Sequence, residues 1–425
     1  MLQLSTIQNN KEEVLARLAV KNFDGTKIID EVLAFDAERK KAQASLDNTL
    51  AKANSISKEI GQLMAQKKSD EAEAKKKETA SLKEEAKKYE DQKTHFEKVL
   101  HDLLVRVPNL PHTSVPQGKT PEDNKVVRQG GEEPKLDGSA KPHWDLASEY
   151  HLINFEIGNK VTGAGFPFYV GKGAKLQRAL ISFFLDRAIA AGYVEYQPPL
   201  LVNAETGYGT GQLPDKDGQM YFVNEDGYYL IPTAEVPVTN IYRDVMLKEE
   251  DFPVKMCAYS QCFRREAGSY GKDVRGLNRL HQFDKVEIVR LEKPENSYLV
   301  LEEMVAHVEG LLKSLGLQYR ILQLCGGDMS FASALTYDFE VYSAAQKKWL
   351  EVSSVSNFET FQSNRMKLRY KDKNGKIHLA HTLNGSALAL PRIVAALLEN
   401  NQKPDGIHIP EALRNYTGFD LISRQ

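Results

Sequence analysis

The chain has 425 residues, 56 of them basic and 58 acidic, which gives a formal net charge of −2. Hydrophobic residues make up 41% and charged residues 27%, which is typical of a globular protein, and the length favours two or three domains. Because the overall charge is close to zero, it excludes a general attraction for nucleic acid, and any such contact must come from a local patch.

The three cysteines are Cys257, Cys262 and Cys325, and no two of them have a CxxC spacing. An odd count without that spacing argues against a disulfide framework and favours a reducing cytoplasm. The N-terminus lacks the basic segment and apolar stretch of a signal peptide, and no run approaches the ~20 apolar residues of a membrane span. We therefore expect a cytoplasmic protein without membrane contact, with Cys257 and Cys262 as small core residues.

A short helix is predicted over Lys11 to Ala19, and it is followed by a segment of different character, residues 27–104. This segment has one glycine and no proline. In each half, mostly apolar or small residues recur at steps of three and four, which is typical of a coiled coil. The predicted seam consists of Val32, Phe35, Arg39, Ala42, Leu46, Thr49, Ala53, Ile56, Ile60 and Leu63, then Ala72, Lys75, Thr79, Leu82, Ala86, Tyr89, Lys93, Phe96, Leu100 and Leu103.

A polar break at residues 66–70 predicts that the two helices fold back as an antiparallel hairpin. At ~1.5 Å per residue this arm is roughly 47 Å long. By the pattern alone, a dimerisation or spacer coiled coil explains the segment. Lysines along the arm are candidates for phosphate contacts, although acidic residues alternate with them. These candidates are Lys52, Lys58, Lys67, Lys68, Lys75, Lys76 and Lys77.

Residues 105–145 are rich in proline and glycine and are predicted to be a linker. Beyond it, residues 146–425 mix strand and helix signals. Strands are predicted at 219–231, 256–263, 283–291, 318–325, 335–342 and 348–355, and helices at 176–191, 233–243, 296–315 and 388–400. Strand runs with helices between them favour an α+β domain, an antiparallel sheet packed by helices. The predicted division is therefore 1–104, 105–145 and 146–425.

Residues 262–287, CFRREAGSYGKDVRGLNRLHQFDKVE, place a glycine-rich loop between two predicted strands. The first strand ends on Arg264, Arg265 and Glu266, and the second begins near Leu280. A guanidinium at the end of a rigid strand is suited to bind a phosphate or carboxylate through two parallel hydrogen bonds. By the pattern alone, an ordinary charged hairpin explains the stretch as well.

These residues closely resemble the second signature motif of class II aminoacyl-tRNA synthetases, in its seryl-tRNA synthetase form. Residues 385–400, GSALALPRIVAALLEN, resemble the third motif, and the helix at 176–191 with the strand up to Pro199 resembles the first. The N-terminal segment, the arm and the linker are also similar to this family. The resemblance implies a homodimer in which the arm grips tRNA bound across the dimer.

The resemblance also implies a reaction in two steps. L-serine attacks the α-phosphate of ATP to give seryl-adenylate, and the seryl group then passes to the 3′ end of tRNA-Ser, with tRNA-Sec as a further family substrate. Chemistry of this kind needs positioning and positive charge more than a protein nucleophile. The sequence supplies arginines and carboxylates in the three motifs and no obvious nucleophile.

For ATP, the resemblance assigns Arg264 to the α-phosphate and Glu266, two residues on and on the same strand face, to the adenine amino group. Arg265 points the other way, and Leu280 lines the nucleotide pocket. Arg392 reaches the γ-phosphate or lies against adenine; a core helix with one exposed arginine is the plain alternative. Pro391 departs from the family pattern, and because proline is tolerated only in a first helical turn, we expect this helix to start later than residue 388.

In LEVSSVSNFETFQSNR, residues 350–365, the resemblance implies that Glu351 and Ser354 coordinate Mg²⁺ bridging the phosphates, since hard ions prefer oxygen ligands. Val352 and Ser353 belong to the same nucleotide-binding segment. By the pattern alone, a half-exposed strand with polar outer residues is preferred.

In LIPTAEVPVTN, residues 230–240, the resemblance implies contacts with the amino-acid substrate. The sequence itself offers a second interpretation, a helix start with a threonine cap and Pro237 in the first turn, and the two are compatible. A carboxylate fitted to a hydroxyl rejects analogues without one, whereas an extra methylene is discriminated by only ~1–3 kcal/mol. The residues implied for serine are Thr233, Ala234, Glu235, Glu287 and Ser386.

Three alternatives remain open. A class II enzyme for another small amino acid is disfavoured by the arm and by Thr233–Glu235, and a relative that charges a carrier protein should lack the arm. A catalytically inactive, RNA-binding paralogue should have lost Arg264, Arg392 or Glu351, and all three are present. The rarer family form with zinc in its serine pocket is disfavoured because no suitable cysteine cluster occurs, so no zinc is expected.

Overall fold

The structure is a computed structural model that describes residues 1–136, 138–215, 217–267 and 275–424. The chain divides into two compact units. The smaller comprises Leu2–Ala19 and Phe23–Pro108, and the larger comprises Met1, Val20–Asn22 and the chain from Asn109 onwards. We call them the arm unit and the catalytic unit.

The arm unit consists of helices, and its two long helices confirm the predicted hairpin. Its helices are α1 (Leu4–Asn9), α2 (Lys11–Val20), α3 (Thr26–Ala65) and α4 (Ser69–Leu104). The turn between α3 and α4 falls on residues 66–68, inside the predicted break. Every predicted seam position is buried or half-buried, because steps of three and four keep one stripe of each helix against its partner. Lys75, an unusual seam residue, pairs with Glu59 of the opposite helix at 3.3 Å.

The catalytic unit contains nine further helices within the described ranges, most of them short. They are α5 (His143–Glu149), α6 (Phe155–Val161), α7 (Lys172–Ala190), α8 (Ala204–Thr210), α9 (Glu235–Thr239), α10 (Ser297–Ser314), α11 (Phe361–Met366), α12 (Leu390–Asn400) and α13 (Glu411–Thr417). α7 and α10 confirm the predicted helices at 176–191 and 296–315. α12 starts at Leu390 with Pro391 in its first turn, as the restriction on proline requires.

The strands of the catalytic unit are more numerous than predicted. They are β1 (Lys125–Gly130), β2 (Ile153–Asn154), β3 (Phe168–Tyr169), β4 (Val194–Tyr196), β5 (Leu201–Val202), β6 (Phe222–Val223), β7 (Tyr228–Leu230), β8 (Met246–Lys248), β9 (Val254–Phe263), β10 (Gln282–Glu292), β11 (Tyr319–Gln323), β12 (Leu335–Ser343), β13 (Lys348–Asn357), β14 (Arg369–Lys371), β15 (Ile377–Leu379), β16 (His381–Ala389), β17 (Gln402–Lys403), β18 (Gly406–His408) and β19 (Leu421–Ile422).

The central sheet has eight strands in the order β1-β11-β12-β13-β16-β10-β9-β4. All neighbours are antiparallel except β4 and β9, which are parallel. This confirms the predicted α+β class with an antiparallel sheet flanked by helices. The edge strand β1 comes from the segment predicted as a linker and pairs with β11.

The two faces of this sheet differ because successive side chains of a strand point to opposite sides. On one face, Ile288, Phe339 and Val355 join the main hydrophobic core together with α7, α10 and α12. On the other face, Glu287 of β10 lies directly opposite Ser386 of β16. We call this second face, which carries the polar residues of β10, β16 and β13, the open face.

Several predicted elements are wrong in kind or extent. The strand predicted at 219–231 is the short hairpin of β6 and β7, and the helix predicted at 233–243 is α9 followed by one 3₁₀ turn at Asn240–Tyr242. The central strand β16 was not predicted, and its last residues had been assigned to the helix at 388–400. Its polar and apolar residues do not alternate cleanly, so the local pattern carried no strand signal.

Candidate active site

The amino-acid side of the site is a buried cluster on the open face. Thr233 Oγ1 donates a hydrogen bond to Glu287 Oε2 at 2.8 Å, and Lys285 Nζ lies 2.5 Å from the same oxygen. The Lys285 and Glu287 side chains are only 7% and 2% exposed. Thr233 also accepts from the backbone N–H of Glu235 at 3.2 Å, and it lies one residue before Ala234, the N-cap of the short helix α9. The helix has Pro237 in its first turn as predicted, but its N-cap is Ala234 and not the threonine, and the contact of this segment with the amino-acid substrate stays a prediction.

Glu235, the first residue of α9, is a second buried carboxyl in this cluster. Burial, and then the nearby charge of Glu287, raise its pKa to about 7. A hydrogen bond from Gln362 Nε2 to Glu235 Oε1 at 2.7 Å opposes this rise, because it stabilises the ionised form. Ala234 between the two polar residues is fully buried and packs into the apolar layer beneath the pocket.

The nucleotide side of the site begins where β9 ends. Arg264 lies one residue beyond the strand, and its guanidinium carbon is 5.2 Å from the centre of the Phe283 ring. The Arg264 Nε donates to the Pro232 carbonyl at 3.4 Å, which directs this arginine towards the segment that carries Thr233. Arg265 is exposed and is held through its backbone N–H, which donates to the Gln219 carbonyl at 2.8 Å.

The prediction that Glu266 shares a strand face with Arg264 is wrong, because β9 ends at Phe263. Glu266 instead adopts a left-handed backbone with φ +49°, and its carboxylate pairs with Arg279 Nη1 at 2.8 Å. Gly268 and Gly271 of the predicted loop lie outside the described residues. Leu280 precedes β10, and its side chain belongs to the hydrophobic core, so its backbone rather than its side chain is left for a nucleotide.

Arg392 of α12 connects the third motif to the other two nucleotide segments. Its Nη1 donates to the Glu351 carbonyl at 2.7 Å and lies 3.8 Å from the Glu351 carboxylate, while its Nε donates to the Asn278 carbonyl at 3.0 Å. Leu277, the neighbour of Asn278, donates its backbone N–H to the buried His143 Nε2 at 2.8 Å. These contacts fix the guanidinium between β13 and the segment before β10.

β13 divides its predicted site residues between the two faces of the sheet. The Val352 side chain belongs to the hydrophobic core, and Ser353 Oγ donates to the Ser386 carbonyl at 2.6 Å, which ties β13 to β16. Glu351 and Ser354 line a cleft of about 880 Å³ on the open face. The structure thus brings Glu351, Ser354 and Arg392 together, and leaves Val352 as a packing residue.

The oxygen donors in this cleft fit a hard divalent cation. Ser354 Oγ donates to Asp338 Oδ1 at 2.6 Å, and burial together with the charge of Glu351 holds the pKa of the Asp338 carboxyl well above its usual range. A cation near Glu351 and Ser354 would relieve this crowding of negative charge. No cluster of three or more acidic, histidine or cysteine side chains suited to a metal occurs in the described ranges. Two oxygen donors, the Glu351 carboxylate and the Ser354 hydroxyl, suit Mg²⁺ that shares its coordination with substrate phosphates.

The structure places four residues in the site to which the sequence pattern assigns no role there: Lys285, Gln362, Phe283 and Asp338. For Lys285 a signal existed, because in a strand it shares a face with Glu287 two residues later. Phe283 was predicted as a strand residue, without a role. For Gln362 and Asp338 no local pattern could have served, since their partners are remote in the chain.

The candidate lysines of the arm unit fall into two groups. Three are paired with acidic neighbours: Lys68 with Glu71, Lys75 with Glu59 and Glu78, and Lys76 with Glu73. The other four make no ion pair with any described residue: Lys52, Lys58, Lys67 and Lys77. This second group is the one with charge left for an external phosphate.

The cysteines and the hydropathy of the helices give two further findings. Cys257, Cys262 and Cys325 are buried and unbonded to one another, which confirms the predicted core positions of Cys257 and Cys262. None of the helices in the described ranges combines the length and apolar character that a membrane crossing needs.

Comparison with known proteins assigns the class first. The class II tRNA synthetase core domain (G, H, P, S and T) matches residues 221–401, which include the site residues of β9, β10, β13, β16 and α12. The seryl-tRNA synthetase N-terminal domain matches residues 1–111. The fold is therefore that of a class II aminoacyl-tRNA synthetase.

Full-length relatives then assign the family. The serine–tRNA ligase of Salinibacter ruber is 51% identical over 100% of both chains, and that of Akkermansia muciniphila is 46% identical over 99% of each. The crystal structure of seryl-tRNA synthetase from Pyrococcus horikoshii complexed with ATP has a TM-score of 0.93 at 32% identity, with 100% of both chains covered. The chain belongs to the seryl-tRNA synthetase family.

Proposed function

We propose that this chain activates L-serine with ATP and transfers the seryl group to the 3′ end of tRNA-Ser. The observation that carries the proposal is the buried pocket of Thr233, Glu235 and Glu287 directly beside Arg264. Two acceptor carboxylates suit a small ligand with an ammonium and a hydroxyl group, and the arginine suits the carboxylate and phosphate that react. The identity to serine–tRNA ligases over the full chain supports the same activity and favours it over an inactive paralogue.

The amino acid is held by groups that leave its carboxylate facing the nucleotide. Glu235 and Thr233 take the ammonium, Glu287 accepts from the side-chain hydroxyl, and the Ser386 hydroxyl donates to it; Ala234 shapes the floor. Lys285 beside Glu287 balances one of the two buried negative charges, and the substrate ammonium balances the other. An amino acid without a hydroxyl would leave Glu287 with the bonds of Thr233 and Lys285 but without the one that the substrate hydroxyl donates, which disfavours such analogues.

ATP is bound by positive charge at the reacting phosphates. Arg264 neutralises the α-phosphate, where negative charge grows as the serine carboxylate attacks, and Arg392 takes the γ-phosphate. Because their guanidiniums are fixed by the Pro232, Glu351 and Asn278 carbonyls, little reorganisation is needed in the transition state. The reaction then needs no protein nucleophile, only alignment of the two substrates.

The remaining nucleotide contacts come from the segment between β9 and β10 and from the backbone of β13. Glu266 accepts from the adenine amino group, and the Leu280 backbone and the exposed Arg265 border the base. The Val352 and Ser353 backbone lies along the same segment of β13.

Glu351 and Ser354 would hold a Mg²⁺ ion that accompanies ATP. When bound, it neutralises phosphate charge and favours departure of pyrophosphate. Asp338, which accepts from the Ser354 hydroxyl, keeps that oxygen oriented towards the cleft. No zinc site is part of the proposal.

The arm unit serves tRNA. The chain forms a homodimer in the cytoplasm, and the arm reaches the tRNA bound across the dimer, so residues 1–104 act as a tRNA-binding domain, 105–145 as the connection and 146–425 as the catalytic domain. Phosphates contact the lysines that no acidic neighbour neutralises, Lys52, Lys58, Lys67 and Lys77, more than the paired ones. Membranes take no part.

The test is ATP–pyrophosphate exchange with serine, threonine, alanine and glycine in turn, with Mg²⁺ and without tRNA. We expect exchange with serine, loss of it in Arg264→Ala, and full activity in the control Arg369→Ala, which removes an exposed arginine on β14. Exchange with another amino acid in place of serine would show that the chain has a different amino-acid specificity. No exchange with any of the four, in a folded chain that binds tRNA, would refute the enzyme and favour an RNA-binding paralogue.

A further inference from the structure

A fully buried amide stands behind the amino-acid pocket. Gln362 of α11 is 1% exposed, and both ends of its amide are engaged. Its Nε2 donates to Glu235 Oε1 at 2.7 Å and to the Thr210 carbonyl at 3.1 Å, while its Oε1 accepts from Thr382 Oγ1 at 2.6 Å. Three elements, α8, α9 and β16, therefore meet at one side chain.

The orientation of this amide is determined by its partners. The Thr210 carbonyl can only accept a hydrogen bond, so the end facing it must be the NH₂ group. The same NH₂ group then donates to Glu235 Oε1, and this donation favours the ionised carboxylate. Glu235 Oε2 has no hydrogen-bond partner among the described residues, which leaves it available to a ligand.

The charged groups that act on Glu235 are one further carboxyl and two cations. β10 contributes Glu287 and Lys285, and Arg264 acts from beyond the end of β9. The groups that α8 and α11 present to this carboxyl and its amide partner are neutral: the Thr210 carbonyl and Gln362. Lys285 is paired to Glu287, and among the described residues the Glu235 carboxylate accepts a side-chain hydrogen bond only from the Gln362 amide.

We propose that Gln362 is a positioning residue for amino-acid activation: it holds Glu235 ionised, with one oxygen occupied and the other presented to the ammonium group of the substrate. Gln362 does not touch the substrate and acts through Glu235 alone. The inference rests on the proposed function, because it takes the Thr233–Glu287 pocket as the amino-acid site.

The proposal sets the direction of a pH effect. The pKa of Glu235 is about 7 in the chain without ligand, and the substrate ammonium needs the carboxylate. The KM for serine should therefore rise about tenfold for each pH unit below that pKa. Without the Gln362 hydrogen bond the pKa of Glu235 rises further, so the rise in KM begins about one to two pH units higher, as expected for a hydrogen bond to a charged group.

The experiment compares the full chain with Gln362→Met, which keeps the side-chain length and removes all three hydrogen bonds, and Gln362→Glu, which keeps the shape. Serine and ATP KM and kcat are measured by pyrophosphate exchange from pH 6 to 9. We expect Gln362→Met to raise the serine KM about 3-fold to 25-fold at pH 7.5, as a pKa shift of one to two units implies, with the ATP KM unchanged. Above pH 8, the serine KM of Gln362→Glu should be higher than that of Gln362→Met, because a third carboxylate joins the cluster.

A second readout follows the proton itself. Serine binding expels the proton from Glu235, and calorimetry in buffers of different ionisation enthalpy counts it. At pH 7 the unsubstituted chain should release about half a proton and Gln362→Met nearly one. The matched control is Asn109→Leu. The Asn109 amide is buried and donates to the Ala332 and Phe358 carbonyls outside the pocket. The substitution should therefore lower the melting temperature without changing the pH dependence of the serine KM or the number of protons released.

Two results separate the possible failures. If the unsubstituted chain shows no serine-dependent exchange, the proposed function falls and this inference with it. If it exchanges normally, but folded Gln362→Met and Gln362→Glu keep the serine KM within twofold and the pH profile and proton count of the unsubstituted chain, Gln362 is only a packing residue and the inference alone is overturned.

Discussion

Replacement of Lys285 by methionine tests the charge balance of the amino-acid pocket. The Lys285 Nζ is 2.5 Å from Glu287 Oε2, and both side chains are almost fully buried. Methionine fills nearly the same volume, so the substitution removes a charge and little packing. It leaves two buried carboxyls, Glu235 and Glu287, with only the Gln362 amide and the Thr233 hydroxyl as close partners.

The expected loss in the free energy of unfolding of Lys285→Met is large at alkaline pH. Breaking a buried ion pair by removing one partner typically destabilises a protein by about 3–5 kcal/mol, because the remaining charge stays buried without compensation. A carboxyl whose folded-state pKa lies above its unfolded value, as for Glu235 at about 7, destabilises the fold above that pKa and ceases to do so below the unfolded value of about 4.3. Protonation relieves the same imbalance in Lys285→Met, so the deficit should shrink as the pH falls from 8 to 5.

Urea unfolding followed by tryptophan fluorescence measures this deficit. Trp144 and Trp349 are the two tryptophans, and both lie in the catalytic unit, so the signal follows that unit even though a chain of two units need not unfold in one step. Adding Glu287→Gln to Lys285→Met removes the stranded charge and should recover most of the loss.

Lys293→Met is the matched control. Its ammonium pairs with Glu249 and Glu295 at the surface, where such pairs contribute about 0–1 kcal/mol. An unchanged midpoint for Lys285→Met at pH 8, or a loss that neither acid nor the second substitution reduces, would refute the reasoning about charge balance.

The other predictions concern the nucleotide, the metal and tRNA. Ser354→Ala should raise the Mg²⁺ concentration for half-maximal exchange about tenfold without changing the serine KM. Arg392→Lys should raise the ATP KM about tenfold or more, because an ammonium cannot span the Glu351 and Asn278 carbonyls and a phosphate together. Replacing Lys52 and Lys58 by alanine should weaken tRNA binding and reduce its salt slope by up to about two, with exchange unaffected.

Each of these has its own contrary result. A Ser354→Ala chain with normal Mg²⁺ dependence would show that Ser354 is not a ligand of the metal. A change confined to the serine KM in Arg392→Lys would show that Arg392 does not bind ATP. For the arm, the control is Lys76→Ala, whose charge is already engaged by Glu73. An equal effect of Lys76→Ala and of the Lys52 and Lys58 substitutions would show that free charge does not select the phosphate contacts.

Sequence patterns predict those features of this protein that repeat along the chain or that involve residues close together in it. The coiled-coil arm could be predicted residue by residue, because a helix imposes its period on the sequence whatever surrounds it. The long strands β9, β10, β12 and β13 followed from their apolar runs for a similar reason. The three motifs gave the family and most of the site residues, since their spacing is local.

The tertiary structure decided what no local pattern contains. Their spacing predicts that Arg264 and Glu266 lie on one strand face, but β9 ends at Phe263, before both residues. β16 became a central strand only because β10 and β13 offer hydrogen-bonding edges on both sides of it. Gln362 lies 127 residues from Glu235, so the hydrogen bond between them depends on how the sheet and its short helices pack together. Burial and the charges it gathers set the pKa of a carboxyl, and both arise only when the chain has folded.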